Sequence, residues 1–69
     1  MKQNETHDYL VKYGGLVAPM ALAGDAAAKA VRDFYSIYYQ SPSLSAWALV
    51  EAAVADFRVA HPEIEHGKA

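Results

Sequence analysis

Cysteine is absent from this 69-residue chain. No disulfide and no thiolate metal site can brace it, and a reducing compartment suits it. An excess of either charge is also missing. Six Lys and Arg stand against eight Asp and Glu, a net charge of −2 with His neutral. Nucleic-acid binders carry a basic stripe, so no direct nucleic-acid contact is expected. Long apolar runs are lacking too. The longest charge-free stretch outside the loops, 14–24, is too short to cross a bilayer and holds Pro19. The opening MKQNETHD is polar and acidic, unlike a signal peptide. These absences predict a cytoplasmic protein with no membrane partner.

Motifs that carry chemistry are missing as well. There is no G-x-S-x-G, no HExxH and no phosphate loop. Ser41, Ser43 and Ser45 cluster around a turn, where helix capping explains them. His61, Glu63, Glu65 and His66 straddle a proline-broken helix end and read as a solvated tail, not a metal site. No enzymatic activity and no cofactor is expected.

Apolar residues, by contrast, make up 54% of the chain, and alanine supplies many of them. A chain of this size buries only about 60% of its unfolded surface, so a monomer is marginal. One small helical domain over 1–69 is expected, with a flexible tail over about 62–69. A homodimer sharing one core would cover the apolar excess.

The pattern is helical. Asn4 can cap a short first helix over 5–13, with Gly14-Gly15 ending it. Pro19 suits the first turn of a second helix. From Met20 an apolar seam runs through Ala23, Ala27, Ala30, Phe34 and Ile37 in steps of three and four. That seam keeps its phase across Gly24, which predicts one helix over 20–40. The alternative is a break at Gly24-Asp25, with Asp25 capping a helix that starts at Ala26. Ser41-Pro42 stops the helix and can start the next, Ser41 as cap and Pro42 at the first position. The third helix runs to about Ala60, before His61-Pro62. Its stripe is Trp47, Val50, Val54, Phe57 and His61, with Ala48, Ala52, Ala55 and Val59 behind. The expected fold is therefore all-α. It is a hairpin of two amphipathic helices, preceded by a short one and paired into a four-helix homodimer. Met20, Ala27, Phe34, Tyr38, Trp47, Val50, Val54 and Phe57 would form the dimer core.

Four aromatic rings fall within the six positions 34–39. At 100° per residue, Phe34 and Tyr38 lie on the seam and Tyr35 at its edge. Tyr39 lies beyond Tyr35, beside Arg32, where the stripe meets the charged face. Tyrosine and arginine are enriched at binding hot spots. Tyr39, Arg32 and Tyr35 are thus the expected partner-binding residues. Tyr9 and Tyr13 either extend that surface or cover the open end of the helix pair.

With RDFYSIYYQ and the SPSLSAWALVEAAVADF helix, the chain resembles small early proteins of temperate bacteriophages that disable host proteins. Within that group it is most similar to the quorum-sensing anti-activators. The resemblance covers the whole chain in length and pattern but rests on no diagnostic motif, so no family residue is transferred. It implies a dimeric helical hairpin that binds a LuxR-type quorum-sensing regulator of the bacterial host and keeps it off DNA. It also implies a second host target, the ATPase that powers type IV pilus assembly. Two alternatives remain open: a small dimeric DNA-binding regulator, and a structural, assembly or antitoxin-type partner protein.

Overall fold

A computed structural model describes residues 3–65 of the chain. Four helices follow one another: α1 Gln3–Leu22, α2 Ala26–Gln40, α3 Leu44–Ala60 and α4 Pro62–Glu65. No strand occurs among the described residues. The all-α expectation holds.

The largest departure from the sequence reading is α1. It runs for 20 residues, with Asn4 inside it, and passes through Gly14-Gly15 and Pro19 without stopping. Two interior glycines cost about 1 kcal/mol each relative to alanine. Packing overrides that cost. Thr6, Tyr9, Val17 and Ala21 are buried, and Leu10, Tyr13 and Met20 pack against the same core. Their spacing follows one face of an unbroken helix across the glycine pair.

The single helix expected over 20–40 is broken at Gly24, as the alternative reading had it. Gly24 has φ 101°, a left-handed conformation that glycine adopts without a Cβ clash. The Gly24 N–H donates to the Ala21 carbonyl, and the Asp25 N–H to the Met20 carbonyl. That bonding pattern closes α1 as a Schellman motif. Asp25 then caps α2, its Oδ2 accepting from the Ala28 N–H at 2.8 Å. Two helices joined this tightly pack back along one another.

The next junction differs in detail from the sequence reading. Ser41 ends α2 with ψ 78°, outside the α region, as a residue before proline must. The cap of α3 is Ser43, not Ser41, and Pro42 lies in the link instead of the first helical position. Ser43 Oγ accepts from the Ala46 N–H at 3.0 Å. The α3 end near Ala60 falls where expected. Pro62–Glu65, expected to be part of a loose tail, form the short α4. Arg58 donates to both Glu65 oxygens, at 3.0 and 2.9 Å, and holds that turn against α3.

The core sits between α1, α2 and α3. The α3 stripe is buried as read: Trp47, Val50, Val54 and Phe57, with Ala46 and Ala53. On α2 the buried residues are Ala28 and Val31, while Ala27, Phe34 and Tyr38 are only partly buried, as is Met20 at the end of α1. Ala23 and Ile37, read as seam positions, are exposed. The seam is turned toward Ala28 because α1 packs on that side, so α2 is covered by two helices and not one. Within a single chain the α3 stripe packs mainly on α2, and α1 reaches it at Phe57 through Tyr9.

Candidate protein-binding groove

Alongside each other, α1 and α2 leave an open groove of about 530 Å³. The α1 wall is built from Leu10, Val11, Gly14, Val17 and Ala18. The α2 wall is Val31, Arg32, Tyr35, Ser36 and Tyr39, and His7 also lines the groove. The sequence reading of the aromatic run meets the structure here. Tyr39 is 77% exposed and Tyr35 43%, and both face the groove with Arg32. Tyr38, one position away, turns to the core side and lies 5.0 Å from the Trp47 ring. The Trp47 indole N–H in turn donates to Glu51 at 3.1 Å.

Arg32 is held only loosely. Its Nε donates to Asp33 Oδ1 at 3.1 Å, and both side chains are exposed. Exposed pairs of this kind contribute little, so the guanidinium is available to a stronger acceptor. A second cleft, of about 670 Å³, lies between Tyr38, Pro42, Leu44 and Trp47 and shares His7 and Tyr35 with the first. Tyr35 is thus a ridge between two concavities.

Tyr9 and Tyr13 stand on the opposite side of α1. Tyr9 is 5% exposed, with its ring 6.3 Å from Phe57 and 4.8 Å from Tyr13. The Arg58 guanidinium lies 5.2 Å from the Tyr9 ring centre. Among the described residues the Tyr9 hydroxyl is buried without a hydrogen-bond partner. Burial raises its pKa, with Glu65 adding to the effect and Arg58 opposing it. Tyr9 therefore belongs to the core of the folded chain and does not extend the exposed tyrosine surface. Tyr13 is half-buried beside it.

The tail cluster also resolves into structure. His61 Nε2 is 2.9 Å from Asp25 Oδ1, and its Nδ1 is 3.4 Å from Glu63. This ties the end of α3 to the start of α2. The Ala28 N–H, and secondarily His61, hold the Asp25 carboxyl below its usual pKa. Among the described residues no cluster of His, Asp and Glu is arranged to hold a metal ion, and His66 lies outside them. No described helix is long and apolar enough to cross a membrane.

The α1 wall was missed in the sequence, because Gly14-Gly15 reads as a helix stop. The signal that finds it is the helical spacing of Thr6, Tyr9, Tyr13, Val17 and Met20, which continues across the glycines. Comparison with known proteins gives no matching family model, no matching curated protein and no matching solved structure.

Proposed function

We propose that the chain is a non-enzymatic protein-binding inhibitor whose α1–α2 groove is its docking surface. The observation that carries this reading is Tyr39. A large amphipathic ring, 77% exposed, stands over an apolar groove beside a weakly engaged arginine. Interface hot spots have that composition.

The resemblance to phage anti-activators supplies the partner class. The proposed target is a LuxR-type regulator of a bacterial host, held off its DNA. The pilus-assembly ATPase is the second proposed target. A homodimer remains part of the proposal, with its seat moved. The outer face of α3, formed by Leu44, Ala48, Ala52, Ala55 and Val59, is exposed and uncharged, and supports self-association there.

The test uses a purified LuxR-type regulator bound to fluorescent operator DNA, read by anisotropy. Adding the chain, as a species of twice 7.5 kDa by sedimentation, is expected to release the DNA. Unchanged anisotropy at saturating chain removes this target. A rise in the anisotropy of the operator DNA alone, without regulator and growing as salt falls, points instead to direct DNA binding.

A further inference from the structure

We infer that the groove receives a partner α-helix that crosses α1 closely at Gly14 and turns a carboxylate toward Arg32. This rests on the protein-binding reading above and adds the chemistry of the partner. Gly14 and Gly15 both sit inside α1, where glycine is unfavourable relative to alanine. No close contact within the fold requires either of them. A Cβ added at either position would meet nothing within 4 Å, and neither has the left-handed φ of Gly24. The two differ in one respect: Gly14 lines the groove and Gly15 does not. One turn beyond Gly14, the exposed Ala18 lines it too. The groove floor is thus lowest between the flanking Leu10 and Val17. A missing side chain there allows another backbone to come near.

The occupant's chemistry follows from the walls. From His7 to Ala18 the α1 wall spans roughly 16 Å, the length of three turns of a docked helix. Its surface is largely apolar, which suits a helix laid in by its apolar face. The polar groups on the walls are His7, Arg32, Ser36 and the Tyr35 and Tyr39 hydroxyls, with no carboxylate among them. Arg32 carries the charge, and its pair with Asp33, made through Nε and Nη2, is exposed to solvent. An acidic side chain on the partner helix complements it.

The experiment uses 16-residue peptides selected from a random display library on the immobilised full chain. Their affinities are then measured for the wild type, Gly14→Ala, Gly15→Ala and Tyr39→Ala. Both glycine variants are expected to melt roughly 4–8 °C higher, since each removes a helix-interior glycine. Gly14→Ala is expected to bind the peptides at least about tenfold more weakly, a factor of ~1.4 kcal/mol, and Gly15→Ala at wild-type strength. The selected peptides are expected to become helical on binding and to carry Asp or Glu. If Tyr39→Ala weakens binding and Gly14→Ala does not, the groove reading stands and the close crossing is overturned. If neither variant weakens it, both fall. Peptides without acidic residues overturn the pairing with Arg32. Wild-type self-association that Gly14→Ala abolishes makes the occupant a second copy and overturns the inference.

Discussion

Tyr9 and Tyr39 are the same residue on two neighbouring helices, and their surroundings are opposite. Tyr9 is closed in by Phe57, Tyr13 and Arg58, with a hydroxyl that finds no partner among the described residues. Tyr39 stands in solvent over an apolar groove. The difference comes from α1. Its Tyr9 face is pressed against α3, whereas its Gly14 face stops short of filling the space beside α2. One side of the molecule thus holds the fold together, and the other leaves apolar surface and an arginine for something else.

The largest expected effect tests the closed side. Phe57 is fully buried between Tyr9 and His61. Phe57→Ala is expected to cost ~3–5 kcal/mol, enough to unfold most of so small a domain. Phe34, only partly buried, should tolerate the same change with a smaller loss. Equal melting curves for the two variants, followed by circular dichroism, would break the contrast between α3 core and α2 edge.

A smaller effect of opposite sign tests the Tyr9 hydroxyl. A buried hydroxyl without a partner costs ~1–3 kcal/mol, and deleting it keeps the ring. Tyr9→Phe should therefore raise the melting temperature, whereas Tyr39→Phe should leave it unchanged. A fall for Tyr9→Phe would show that the hydroxyl is engaged.

The smallest effect is a pH dependence on the closed side. The folded-state pKa of Asp25 is depressed, chiefly by the Ala28 N–H and then by His61. Such a group contributes stability that is present above its unfolded pKa and lost as pH falls through the folded value. Asp25→Asn keeps a capping side chain without the charge. Between neutral pH and about 2.5, spanning the carboxylate range, the wild type should lose more melting temperature than this variant. Parallel curves would mean the cap does not depend on ionisation.

The helices were legible where local chemistry and tertiary packing agree. Pre-proline sterics at Ser41 and His61 place the ends of α2 and α3, and the Trp47–Phe57 stripe is buried as its spacing indicates. The sequence misled where they conflict. Gly14-Gly15 and Pro19 are strong local stop signals, yet α1 continues because Tyr9, Val17 and Ala21 are buried on a continuous face. At Gly24 the reverse happened: the seam suggested continuity, and a left-handed glycine followed by a capping aspartate broke it. That Tyr39, Arg32 and Tyr35 share one exposed edge of α2 could be read from helical phase alone. Their opposite wall could not, since it depends on a helix the local signals deny. For the same reason the two readings of Tyr9, part of a partner surface or cover for the helix pair, could not be separated until its contact with Phe57 of α3 was in view.

Binding of Tyr39→Ala to the purified LuxR-type regulator, measured beside its thermal melt, tests the division of the two sides most directly. The expected result is an unchanged melt with affinity roughly thirtyfold weaker, the factor that ~2 kcal/mol at a hot spot implies. A collapsed melt would make Tyr39 part of the fold, and wild-type affinity with an intact melt would place the binding surface elsewhere.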